Sequence, residues 1–239
     1  MRIWDVSAGY LNRQSLLGEH RELHGLHSIL VNGKTGYARH PETRRWVGCV
    51  SGLAQRHALL VAEMRLRGYC DRTPLDSGGG RMRWPAIFID PPREQYALLT
   101  GKYRGREAGR IPLPRGVHDL WAQHKYSVMA RDPEAYRVIG RRVARMRRGA
   151  DFAPLAEEMI VLLRASPTRP RLLNALEHMW GYVARAATPE ERAAAGASPA
   201  GLLRTTCELA VRSKQPYLLA STALSELSVY VERAARTMR

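Results

Sequence analysis

Apolar residues recur at helical spacing in two places in the first half of the chain. Leu16, Leu23, Leu26 and Leu30 are seven, three and four residues apart, which lines one helix face and predicts a helix over residues 8–30. Leu53, Leu60 and Met64 mark a second over 51–67, and Gly68 directly behind Arg67 is its stop signal. Between them, Asn32-Gly33-Lys34 reads as a turn and His40-Pro41-Glu42 as a helix break. Residues 71–117 lose the pattern. Ser77-Gly78-Gly79-Gly80 and Ile111-Pro112-Leu113-Pro114-Arg115-Gly116 are turn and linker chemistry. From His118 the helical pattern resumes and predicts helices over 118–131, 134–148, 152–165, 170–187, 200–213 and 217–237. Prolines fall near their starts, where a missing N–H is tolerated. Glu190–Ala200 reads as an Ala-rich connector. No segment alternates with the period of a strand, and no repeat is visible. The expected fold is mainly α: a compact helical domain with irregular loops over 1–117, then an α-helical bundle over 118–239.

Composition narrows the class. A chain of 239 residues can bury the cores of two modest domains. With 45% hydrophobic and 25% charged residues it is neither disordered nor collagen-like. No run approaches the roughly 18–20 apolar residues of a membrane span. Met1-Arg2-Ile3-Trp4-Asp5 has no apolar run behind a basic start, so it does not read as a secretory signal. Cys49, Cys70 and Cys207 form neither a disulfide framework nor a metal-ligand spacing, which fits a reducing cytoplasm. The 38 Lys and Arg residues against 22 acids leave a net charge of +16. Residues 1–117 hold 19 basic against 10 acidic residues, and 118–239 hold 19 against 12, so both halves should favour polyanions, nucleic acid first.

The segment Arg13 to Leu23 carries the densest candidate chemistry. Glu19 and Glu22 are three apart and share a helix face, with Arg21 beside Glu22 and with Arg13 and Gln14 two turns earlier. Arginines that hold a phosphodiester backbone and a carboxylate that moves protons are what acid–base work on DNA requires. On spacing alone, however, a Glu-Arg mixture is more often a solvated helix face.

The order of several short motifs sharpens this. Arg2-Ile3, Gln14, Arg21-Glu22-Leu23, Asn32-Gly33-Lys34 and the run Leu53, Arg56-His57, Leu60, Glu63-Met64, Arg67-Gly68-Tyr69 together resemble the pyrimidine-dimer DNA glycosylase family, which is endonuclease V-like. The resemblance covers about the first 70 residues and implies a glycosylase with an associated AP-lyase step, acting on damaged double-stranded DNA without a cofactor. In this family the nucleophile is the N-terminal α-amine, here that of Met1. Arg2 is large, which predicts that Met1 is retained. An α-amine ordinarily titrates near 7.7–8.0 against about 10.4 for lysine, so about a tenth of it is neutral near pH 7. By resemblance Glu22 is the catalytic carboxylate, Arg2 and Arg21 hold phosphates, and Gln14 is a further DNA contact. Lys34, Arg44 and Arg45 are additional phosphate-contact candidates. A family arginine four residues beyond Arg21 is Gly25 here.

His20, His24 and His27 fall at i, i+4 and i+7, a spacing at which helical histidines can bind zinc. Together with His40 they are read instead as packing or phosphate contacts, so no metal is expected. The second half, through His118, His124-Lys125, Ala130-Arg131, Tyr136, Gly140, Pro167-Thr168, Asn174-Ala175-Leu176-Glu177-His178-Met179 and Gly181-Tyr182, resembles the YbgA-type domain of unknown function. That domain also occurs attached to enzymes acting on tRNA, which makes an accessory nucleic-acid-binding role the expectation. Asn174, His178 and Gly181 form a polar stripe read as a helix-packing face. The leading expectation is a cytoplasmic, nucleoid-associated DNA-repair glycosylase and lyase for UV-induced pyrimidine dimers or a related lesion. The alternatives are a non-catalytic nucleic-acid-binding protein and an RNA-directed enzyme or adaptor.

Overall fold

The computed structural model describes residues 1–75 and 81–236, without the side chains of 234–236. The linker motif Ser77-Gly78-Gly79-Gly80 and residue 237, the expected end of the last helix, lie outside the described residues. Among the described residues every regular element is a helix and none is a strand, so the fold is mainly α. None of these helices is long and apolar enough to cross a membrane. The chain divides into two compact units, Met1–Gly109 and Arg110–Arg239.

The first unit holds α1 (Arg13–Asn32), α2 (Pro41–Arg45), α3 (Val50–Leu66) and α4 (Pro92–Lys102). α1 starts later than the periodicity suggests. Asn12 caps it by accepting from the Ser15 amide at 2.9 Å, and residues 8–10 form a separate 3₁₀ turn. It ends on Gly33, whose φ of 61° is the left-handed conformation that suits glycine. α1 and α3 pack together through Leu16, Leu23, Leu26, Leu53 and Leu60, all fully buried. α2 stands where a break was expected. Pro41 occupies its first turn rather than its interior, and the His40 ring caps it by accepting from the Glu42 amide. α4 lies inside the segment expected to be linker. It starts at Pro92, directly after Pro91, and buries Gln95, Tyr96 and Leu99.

The second unit holds α5 (Val117–Met129), α6 (Pro133–Ala144), α7 (Ala153–Leu163), α8 (Arg169–Trp180), α9 (Pro189–Gly196), α10 (Pro199–Arg212), α11 (Pro216–Leu219) and α12 (Ala223–Arg236). α5 runs through its middle, against α6, α7, α8 and α12. The expected connector at 190–200 is partly α9, started by a reciprocal capping box between Thr188 and Glu191. α8 stops at Trp180, short of 187, and the expected last helix divides into α11 and α12. Residues 110–117, expected with the first half, pack into this unit. Ile111 is fully buried, and the Gln123 side chain donates to the Pro112 carbonyl at 2.9 Å. The Asn174, His178 and Gly181 stripe on and just beyond α8 is exposed rather than packed.

Candidate active site

Residues 2–11 enter the first unit with no regular structure except the 3₁₀ turn, so their backbone groups need partners from elsewhere. Charged and polar side chains of the helices supply them. The Arg2 amide donates to Glu22 Oε2, the Trp4 amide to Glu19 Oε1 at 3.2 Å, and the Asp5 amide to Gln95 Oε1 at 2.9 Å. Arg45 donates to the Ile3 carbonyl, Arg56 to that of Val6 at 2.8 Å and Arg67 to that of Leu11 at 2.7 Å. Ile3, Trp4 and Val6 are buried. Each of the four helices thus contributes to seating the chain's first residues.

These anchors are themselves paired. Arg56 meets both oxygens of Glu19, at 2.7 and 2.8 Å, and the Glu19 side chain is 0% exposed. Burial pushes the Glu19 carboxyl above the usual carboxylate range, and Arg56 pulls it back only in part. Arg45 pairs with Asp5 at 2.7 Å and Glu42 at 3.0 Å. Burial likewise raises Glu42, with Arg45 and the Trp46 indole N–H opposing it.

The outcome is a defined position for the chain start. Met1 N lies 3.9 Å from Glu22 Oε1, while the Arg2 amide occupies the other Glu22 oxygen. Glu22 is 39% exposed and lines a cleft of about 460 Å³, together with Arg2, Trp4, Gln14, Gly18, Arg21 and Lys102 among others. The Arg2 guanidinium pairs with Asp90 and sits 4.9 Å from the centre of the Trp4 ring. A shallower basic groove that shares Gln14 and Arg21 adds Arg13 and Arg106. An amine and a carboxylate stand side by side at the rim of a cationic cleft of ligand size, a set able to attack an electrophilic carbon and move the resulting proton.

Met1, Glu22, Arg2, Gln14 and Arg21 therefore come together. Lys34 and Arg44 are exposed but do not line the cleft. Arg45 corrects the expectation of a phosphate contact: its side chain is 1% exposed and committed to Asp5, Glu42 and Ile3. Lys102 and Leu98, on α4, were missed because the Gly- and Pro-rich texture around them hid the helix.

The other face of α1 gathers a second group. His20 and His24 meet His57 of α3 and Asp71 beyond it, with one ligand atom from each all within 4.8 Å of one another. His57 Nε2 is 3.2 Å from the Nε2 of both His20 and His24, and His20 Nε2 is 3.2 Å from Asp71 Oδ1. Burial lowers the His57 imidazole to about 4, and His24 is lowered for the same reason. Asp71 lies below its usual range, because the Thr73 amide, His57 and His20 together outweigh its burial. His27 and His40 are not members. The spacing on α1 supplied two of these residues, but only the tertiary fold brings in His57 and Asp71.

No curated protein and no solved structure matches the chain. Residues 125–211 match the family model described as protein of unknown function (DUF1722). Residues 1–77, which include every cleft-lining residue except Leu98 and Lys102, match the family model described as pyrimidine dimer DNA glycosylase.

Proposed function

We propose that the protein is a DNA glycosylase with AP-lyase activity on pyrimidine dimers or a related lesion in double-stranded DNA, and that the Met1 α-amine is its nucleophile. The observation that carries this reading is the juxtaposition of that amine with Glu22, which lines a cationic cleft, within the segment that matches the glycosylase family. Arg2, Gln14, Arg21, Lys102 and the neighbouring Arg13 and Arg106 hold the backbone around the lesion. A nucleotide leaves the stack at a cost of a few kcal/mol, which a damaged site lowers. Glu22 takes a proton from the amine, and the neutral nitrogen bonds to C1′. The glycosidic C1′–N bond breaks, its electron pair leaving on the base, which takes up a proton. The C1′–O4′ bond then opens, O4′ takes up a proton and the amine nitrogen gives up its remaining one, which leaves an imine at C1′. The imine that forms acidifies C2′, and loss of that proton expels the 3′ phosphate and cuts the strand. In this reading the second unit is an accessory binder of nucleic acid, and no observation favours RNA over DNA as its ligand.

Borohydride trapping tests the reading. Protein with a free N-terminus is offered irradiated, untreated and abasic duplexes, and the adduct is located by digestion. A covalent complex at Met1 with irradiated and abasic DNA, and none with untreated DNA, is the expected result. A free-terminus protein that traps on no duplex overturns it.

A further inference from the structure

The contacts among His20, His24, His57 and Asp71 do not form a satisfied hydrogen-bond network. Each imidazole Nε2 carries either one hydrogen or one lone pair, aimed in a single direction. His57 Nε2 faces two other Nε2 atoms at 3.2 Å, and His20 Nε2 faces both His57 and a carboxylate oxygen at 3.2 Å. No distribution of protons gives each of these contacts its own linear hydrogen bond. A single cation at the centre satisfies all of them.

The spacing fits a particular kind of cation. In a tetrahedral zinc site the bonds are about 2.0–2.1 Å, which places neighbouring donor atoms about 3.3–3.4 Å apart. The three 3.2 Å separations match that edge, and the widest pair, within 4.8 Å, needs only a side-chain adjustment. Three imidazoles and one carboxylate suit zinc and its neighbours rather than magnesium or calcium, which take oxygen ligands. Asp71 is also held in place, accepting from the Thr73 amide at 3.0 Å and from its hydroxyl at 3.3 Å. Support of this kind behind a ligand carboxylate tunes metal sites.

We propose that His20, His24, His57 and Asp71 bind one zinc-like divalent ion that clamps α1 to α3 and to the segment after it. The ligands come from two residues of α1, one of α3 and one beyond α3. The ion has four protein ligands, and none of them lines the Glu22 cleft, so it is structural rather than catalytic. It acts beside the Glu19–Arg56 pair, which joins the same two helices through neighbouring residues.

Metal analysis of the full chain tests this independently of any DNA activity. Protein without a metal-binding tag is purified in the presence of a weak chelator, and its metal content is measured by mass spectrometry. The chelator-stripped protein is then titrated with cobalt. The expected result is about one ion per chain and the intense visible absorption of tetrahedral cobalt. Asp71→Asn and His57→Gln lose the ion while circular dichroism stays helical, His27→Ala keeps it, and Thr73→Ala binds about tenfold more weakly. If His57→Gln does not fold, Asp71→Asn and the cobalt spectrum of the unsubstituted chain decide. Folded, unsubstituted protein that carries no metal and gives no tetrahedral cobalt spectrum overturns the proposal. So does cobalt binding that survives Asp71→Asn and His57→Gln unchanged.

Discussion

The two units place their ion pairs differently. In the first, acid–base pairs are buried or nearly so: Glu19 with Arg56, Arg45 with Asp5 and Glu42, and Glu63 with the partly exposed Arg67. In the second, pairs such as Arg142 with Glu158 and Arg137 with Glu134 lie at the surface. Among its described residues the second unit also buries two charged ones, Arg131 and Glu226, but neither pairs with an opposite charge; they bond to hydroxyls and backbone instead. Ser127 donates to Glu226 at 2.8 Å, and Arg131 donates to the Ser127 carbonyl and to the Tyr230 hydroxyl. Buried ion pairs are a poor source of net stability, because desolvation offsets most of their attraction. What those in the first unit provide is location. Helices hold their own backbone groups, whereas an irregular entry segment must be held by side chains, and here most of those that reach it are long and charged. The bundle has a shorter entry, and at Pro112 a neutral side chain, that of Gln123, holds it.

This contrast can be broken by experiment, and the largest effects should fall in the first unit. Arg56→Met strands Glu19 in the interior and should cost about 3–5 kcal/mol in urea denaturation. A cost no larger than that of a surface pair would defeat the comparison. Glu22→Gln should leave stability and duplex affinity almost untouched while base excision slows by about 10²–10⁴-fold. That outcome separates holding the chain start from using it. Gly52→Ala should cost about 1–3 kcal/mol, because a Cβ there would come within 2.2 Å of the Arg83 carbonyl oxygen. Lys102→Gln should weaken duplex binding and reduce the salt slope by about one, whereas Arg45→Gln should lower the melting temperature instead. Smallest of all, Arg142→Gln in the second unit should change stability by less than about 1 kcal/mol, since both partners are nearly half exposed.

How much of this could be read beforehand depended on the range of the signal. α1 and α3 announce themselves because Leu16, Leu23, Leu26, Leu53 and Leu60 repeat within a few turns. α4 does not, because its inward residues, Gln95, Tyr96 and Leu99, are few and one is polar. Pro41 reads as a breaker in sequence, although a proline in the first turn starts a helix as well as it ends one. Glu22, Arg2, Gln14 and Arg21 were legible through motif order. Arg44 and Arg45 were indistinguishable in sequence, yet one is exposed and the other buried, a difference set by Asp5, some forty residues distant in the chain. His57 and Asp71 joined His20 and His24 only once α1 and α3 were packed.

Gly52 has a consequence beyond its cost on substitution. The main chain at Arg83 rests directly on it, while Ser51 Oγ donates to the Arg81 carbonyl and accepts from the Arg83 amide. Residues 81–83 are thus docked on α3 by backbone, and the side chains of Arg81 and Arg83 point to solvent. A stretch held in this way is nearly indifferent to its own spelling. Drift can rewrite its charge and shape without touching the fold, which makes it ground where a lineage can retune its surface freely.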